Sequence, residues 1–197
     1  MKFILNRWCN SVRGGRARAL RGALLLLVAC ATAVAGEPAK LNEYQVKGAY
    51  LFNFAKYVEW PTNALLADNS PIIIGVIDGN AAAPVIKQVV ANKLVNEHPL
   101  VVKVMATPDP MEPCHILFVS RAAKISPAEV RAMLGTAATL VVGETESFAE
   151  EGGMVGFVLE GDTLRVNLNL ETLACTDLKV SAKLASVARI VKTRSPK

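Results

Sequence analysis

The chain has 197 residues and a formal net charge of +5, a balance that suggests an anionic partner such as nucleic acid. Six of the 22 basic residues and none of the 17 acidic residues lie in residues 1–35, so the rest of the chain carries 16 basic and 17 acidic residues. The positive charge therefore belongs to the amino-terminal segment, and nucleic-acid binding loses its electrostatic support.

Residues 1–35 have the order of a secretory signal: a basic stretch that ends at Arg21, an apolar run over residues 23–35, and a small-x-small sequence that ends at Ala35. The apolar run has 13 residues, fewer than the roughly 20 that a membrane-spanning helix needs, so a cleaved signal is favoured over a membrane anchor. The four residues that end at Cys30 also fit a lipoprotein box, and lipidation there would tether the domain to a membrane. Cleavage after Ala35 is preferred, because cleavage at Cys30 leaves a short apolar core.

The chain is therefore predicted to be exported from the cytoplasm, either free in the periplasm or, in the alternative, as a membrane-tethered lipoprotein. Four segments are expected: a signal over residues 1–35, a short tail over 36–41, one domain over 42–192, and a terminal tail over 193–197. A length of about 160 residues is typical of one domain with a sizeable core.

The first predicted element is a helix over residues 42–60, which Asn42 can cap. Its apolar residues recur at helical spacing, and Lys47 is expected on its solvated side. The helix holds six of the eleven aromatic residues of the chain. Most are expected in the core, but aromatic residues are also enriched in protein interfaces. Phe52 and Trp60 are the candidates for a partner surface.

Short, continuous β-branched runs are typical of strands buried on both faces. Such a run predicts a strand over residues 71–77, and residues 115–120 are predicted as a further buried strand. Strands are also predicted over 99–105, where Lys103 lies among the apolar residues, and over 139–143. Helices are predicted over 82–91 and 127–134. In the second of these helices, Ser126 can serve as the cap and Pro127 takes the first helical position.

The last third of the chain predicts a hairpin of strands 154–159 and 163–169, followed by a helix over 178–191. In the second hairpin strand, apolar residues alternate with Asn167 and Asn169, which are expected on a solvated face. Strands that alternate with helices predict an α/β fold. We expect a single-domain three-layer sandwich with a mostly parallel sheet, helices on both faces and the antiparallel hairpin at one edge.

The sequence contains few groups that could catalyse a reaction. His98 and His115 are the only histidines, and Cys114 beside His115 would point to the opposite face of a strand. The cysteines and histidines lack the spacing of metal ligands, and no nucleophile elbow or P-loop is present. Glu144 and Glu146 are interpreted as solvated loop charges. We therefore predict no catalytic residue, no cofactor and no metal site, and the chain is not expected to be an enzyme.

Two cysteines, Cys114 and Cys175, lie in the predicted domain. In an oxidising compartment they could form one disulfide. They could equally be two buried residues that pack as small hydrophobic groups. The sequence leaves both alternatives open.

Five segments, taken in order, resemble the YfiR-like family: residues 43–61, 72–77, 114–120, 148–161 and 178–191. They include the helix with its aromatic residues, a Cys-His strand, a glycine turn with its hairpin, and the final segment. The resemblance implies a periplasmic α/β protein. The best-understood members of this family bind the periplasmic part of a membrane-bound diguanylate cyclase and repress it. Release of that hold raises cyclic di-GMP in the cell and favours biofilm formation.

The resemblance implies a membrane cyclase, or another membrane receptor, as the partner, and it leaves a homodimer open. The alternative is a small-ligand-binding or redox-sensing protein without a cyclase partner. Disulfides are linked to signalling in the family, and Cys114 occupies its Cys-His position. The chain has no cysteine near the glycine turn, where some members carry one, so the family's disulfide pattern does not transfer whole.

Overall fold

The computed structural model describes residues 39–62, 64–65, 69–79, 81–105 and 112–194. The predicted signal, with Cys30 and Ala35, lies outside these residues. Five helices lie in this part of the chain: α1 (Ala39–Tyr57), α2 (Ala82–Val90), α3 (Pro127–Leu134), α4 (Leu170–Ala174) and α5 (Ala182–Val187). The same part has ten strands: β1 (Val58–Glu59), β2 (Ile72–Ile77), β3 (Leu94–Val95), β4 (His98–Met105), β5 (Ile116–Val119), β6 (Leu140–Gly143), β7 (Val155–Glu160), β8 (Thr163–Asn169), β9 (Lys179–Val180) and β10 (Arg189–Val191).

Eight of these strands form one sheet in the order β10-β8-β7-β6-β5-β2-β4-β3. The pairs β10–β8, β7–β6, β6–β5, β5–β2 and β2–β4 are parallel, whereas β7–β8 and β3–β4 are antiparallel. The predicted α/β class with a mostly parallel sheet is therefore confirmed. The β7–β8 hairpin lies one strand in from the edge of the sheet, because β10 pairs with β8 and forms the edge strand.

Helices cover both faces of the sheet. On one face, the Phe54 ring of α1 stacks on the Phe157 ring of β7, with 5.9 Å between centroids. The Phe118 ring of β5 lies 6.2 Å from the Phe157 ring. Val142 pairs with Phe118, so the two side chains share a face of the sheet. The side chain of its neighbour Val141 therefore lies on the opposite face. There Val141 shares a cleft with Leu134 of α3. Burial of a phenylalanine such as Phe54 contributes about 1.5–3 kcal/mol.

The start of α3 agrees with the prediction. The Ser126 side chain accepts a hydrogen bond from the Glu129 backbone, the Glu129 carboxylate accepts one from the Ser126 backbone, and Pro127 is the first helical residue. This reciprocal pair satisfies two backbone donors that the helix itself leaves free.

The predicted helix over residues 178–191 is wrong at both ends. Only Ala182–Val187 is helical, with Ser181 as its cap, and Arg189–Val191 forms β10 beside Asn167–Asn169. Valine and isoleucine are stiff in a helix and favourable in a strand. The free edge of β8 offers the hydrogen bonds that make the strand the better choice.

Two smaller predictions are also corrected. Helix α1 begins at Ala39, so Asn42 lies inside it rather than at its cap, and its end gives way to a strand because Val58 pairs with Val180. Asn167 and Asn169 are buried rather than solvated. The Asn169 amide donates to the Ala149 carbonyl and the Thr193 hydroxyl, so segments outside the sheet cover this face.

Candidate partner surface and its supporting contacts

The two residues predicted for a partner surface are both half-buried, and both pack partly against the core. The Lys93 ammonium lies 4.8 Å from the centroid of the Phe52 ring. The Trp60 indole donates a hydrogen bond to the Ala55 carbonyl at 3.4 Å, and its ring meets His115 edge-on at 5.7 Å. Phe52 and Trp60 therefore have different neighbours, and their role in partner binding remains a prediction.

His115 is a structural link between three segments. Its Nδ1 accepts a hydrogen bond from the Ile73 backbone at 3.0 Å, so the proton sits on Nε2, which donates to the Ala64 carbonyl at 3.0 Å. Burial lowers the pKa of this imidazole. The neutral ring joins the start of β5 to β2 and to the segment after β1. Because both nitrogens are engaged, the ring is poorly placed to act as a general base.

A buried ion pair attaches α1 to the carboxyl edge of the sheet. Lys47, which is 2% exposed, lies 2.5 Å from the Glu144 carboxylate, which is 5% exposed. The same ammonium contacts Glu43 at 2.5 Å. The second oxygen of Glu144 accepts the Arg121 backbone N–H at 2.7 Å. The expectations of a solvated Lys47 and a solvated Glu144 are therefore wrong: each has the partners that a buried charge requires.

Tyr44 lies beside this group of charged residues, which comprises Lys47, Glu144 and Glu43. The Lys47 ammonium lies 5.0 Å from the centroid of the Tyr44 ring. Burial raises the pKa of the Tyr44 hydroxyl, and the carboxylates of Glu144 and Glu43 raise it further. Glu144 follows β6 and Arg121 follows β5, at the carboxyl ends where α/β folds often bind ligands. In this protein the Glu144 carboxylate oxygens are already bonded to Lys47 and to the Arg121 backbone. These contacts therefore hold α1 in place.

Cys114 and Cys175, the two cysteines in the described part of the chain, are free thiols; Cys114 is buried and Cys175 is exposed. Burial raises the pKa of Cys114 to about 11, which leaves it protonated at neutral pH. The Thr139 hydroxyl donates to its backbone carbonyl at 2.7 Å. Cys175 follows α4, and its thiol donates to the Glu171 carbonyl at 3.4 Å. The structure therefore does not contain the bridge that the sequence left open, and Cys175 instead lines a cleft of about 100 Å³ beside Arg131.

A larger groove, of about 400 Å³, runs between α1 and α5. We call it the α1–α5 groove. From α1 it is lined by Val46, Ala49, Tyr50, Asn53 and Tyr57. From α5 it is lined by Lys183, Leu184 and Val187. The α1 residues recur three and four positions apart, which defines one stripe of the helix. This stripe was a signal in the sequence, but the stronger apolar stripe that faces the sheet obscured it.

The sequence profile of the YfiR/HmsC-like family matches residues 44–189 of this chain. The chain belongs to the YfiR/HmsC-like family. This match confirms the family resemblance that was predicted from five segments. A comparison with curated protein sequences found no match.

The range matched by the YfiR/HmsC-like profile includes the ion pair, His115, both free cysteines and the whole α1–α5 groove. Within the described ranges, no group of three or more histidine, cysteine or acidic side chains is placed to hold a metal ion. None of the helices described above is both long enough and apolar enough to cross a membrane.

Proposed function

We propose that this protein is a periplasmic regulator that binds the periplasmic part of a membrane-bound diguanylate cyclase and represses it. Membership of the YfiR/HmsC-like family over residues 44–189 is the observation that carries the proposal. Binding would bias the cyclase between two states, by no more than the difference in affinity for those states. Release would raise cyclic di-GMP in the cell and favour biofilm formation.

The chemistry of the described residues supports binding rather than catalysis. The His115 nitrogens are both engaged by backbone groups, and the raised pKa of Cys114 disfavours the thiolate that a nucleophile needs. The buried charges of Lys47 and Glu144 neutralise each other. By contrast, the α1–α5 groove presents apolar and cationic side chains at the surface.

Deletion of the gene tests the proposal. We expect cyclic di-GMP to rise severalfold on deletion and to return to its original level when the full chain is restored. A variant without residues 1–35 should fail to restore it, because the domain would stay in the cytoplasm, away from the periplasmic part of the cyclase. Affinity purification of the tagged full chain from detergent-solubilised membranes should recover a diguanylate cyclase. Unchanged cyclic di-GMP on deletion, together with recovery of no cyclase, would refute the proposal.

A further inference from the structure

The α1–α5 groove leaves apolar side chains open to solvent along much of its length. Val46 on α1 is 39% exposed and Val187 on α5 is 67% exposed, and both line the groove. Exposed apolar groups that share one concave surface are typical of an interaction site, whereas single exposed ones need no explanation.

The groove has the length of a short helix. Its α1 residues run from Val46 to Tyr57, which at 1.5 Å per residue is roughly 16 Å, or three helical turns. A stripe with spacings of three and four is the surface that another helix packs against. Val46 on α1 and Val187 on α5 both line the groove and are both exposed. A helix laid along the groove would cover them.

One end of the groove is cationic. The Lys183 ammonium lies 5.0 Å from the Tyr57 ring centroid, and the Lys56 ammonium lies 5.6 Å from it. Neither lysine forms an ion pair with a carboxylate in the part of the chain that the structure describes. The nearby Lys183 ammonium lowers the pKa of the Tyr57 hydroxyl, and the charge of Lys56 acts in the same direction. Among the described residues these two cations have no carboxylate partner, and their position beside an apolar groove favours an acidic partner.

We infer that the α1–α5 groove is the docking site for an amphipathic, acidic helix of the membrane partner. Its apolar face, with side chains at i, i+3 or i+4, and i+7, would pack between Val46 and Val187. An acidic residue at one end would meet Lys183 and Lys56. This is a helix-in-groove mode of recognition. The inference rests on the proposed function, since it names the surface and the partner chemistry through which that function would act.

Substitutions in the full chain test the inference, with Val187→Asp as the main variant and Val104→Asp as its matched control. Val104 is 61% exposed on β4, at the other end of the sheet order, so the two substitutions place the same charge on equally open surfaces. We expect Val187→Asp to lower recovery of the cyclase from membranes at least about tenfold, as loss of an interface hot spot does. Val104→Asp should recover it like the wild type. Thermal unfolding of both purified variants checks that they are folded.

The cationic end is tested by Lys183→Glu, with Lys183→Arg as the conservative variant. We expect the first to reduce cyclase recovery and the second to preserve it. The salt dependence of recovery should weaken in Lys183→Glu, because screening acts on the lost attraction. A photo-crosslinking residue at position 46 or 187 should mark partner residues that are three, four or seven positions apart.

The outcomes separate the two proposals. If the wild type recovers a cyclase and Val187→Asp recovers it equally well, the groove inference is wrong while the proposed function stands. If the wild type recovers no cyclase and cyclic di-GMP does not change on deletion, both fail. A shift from dimer to monomer in Val187→Asp, with cyclase recovery unchanged, would assign the groove to a second copy. A small molecule that co-purifies with the wild type but not with Val187→Asp, again with recovery unchanged, would assign it to that ligand.

Discussion

Replacing Lys47 by methionine should destabilise the domain strongly, although the substitution keeps most of the side-chain volume. It removes the cation that lies 2.5 Å from both Glu144 and Glu43. Glu43 is partly exposed and can be hydrated, but Glu144 is buried. Without Lys47, its carboxylate keeps the Arg121 backbone N–H as a donor, whereas the Arg121 guanidinium donates to the Glu144 backbone carbonyl and not to the carboxylate. Loss of one partner of a buried ion pair costs about 3–5 kcal/mol, because a charge remains without compensation.

The retained hydrogen bond to Glu144 places the expected cost near the lower end, at about 3 kcal/mol. For a domain of this size, that corresponds to a fall in Tm of roughly 6–12 °C. The double variant Lys47→Met with Glu144→Gln should be at least as stable as Lys47→Met alone, because the uncompensated carboxylate is gone and the amide oxygen can still accept from Arg121. Urea and thermal denaturation, followed by circular dichroism, measure the wild type, Lys47→Met, Glu144→Gln and the double variant.

Lys103→Met is the matched control. Lys103 forms an ion pair with Glu112 at 3.0 Å, but both side chains are exposed, and exposed pairs contribute about 1 kcal/mol or less. The reasoning would be refuted if Lys47→Met cost no more than Lys103→Met. It would also be refuted if the two changes in the double variant were simply additive, since groups in contact should couple.

Three further outcomes are expected. Burial lowers the pKa of His115 in the folded state. The contribution of His115 to stability is therefore complete above the unfolded pKa of about 6.5 and is lost as the pH falls below that value. A pH series of Tm values should show this slope, and His115→Asn should reduce the slope. Cys175 should react with iodoacetamide at pH 8 while Cys114, with its pKa near 11, stays unmodified in the folded protein; mass spectrometry of the peptides would show equal labelling if this is wrong. Ser126→Ala should cost about 1 kcal/mol by urea denaturation, because it breaks the capping box of α3; no change in midpoint would contradict the role of the cap.

Most of the sheet could be predicted because its strands have local signals. The continuous apolar runs that form β2, β5 and β6 are buried on both faces, so their composition alone marks them. Helix α3 was predicted with its correct bounds because Ser126 occupies the cap position and Pro127 the first helical position. At α5 the prediction failed, because the same apolar pattern serves a short helix and then a strand. The choice depended on the free edge of β8, a feature of the assembled sheet that the apolar pattern of residues 178–191 does not show.

Sequence by itself determined the α/β class, the family and the absence of a recognisable catalytic motif, because these depend on local composition, order and spacing. The tertiary structure decided which charges are buried and which surfaces are shared. Lys47 and Glu144 are 97 positions apart, and nothing near either residue indicates the other. The α1–α5 groove likewise joins Val46 to Val187 only once β1 has paired with β9 and α5 has folded beside α1. Contacts of this kind depend on how distant segments pack, and no local pattern records them.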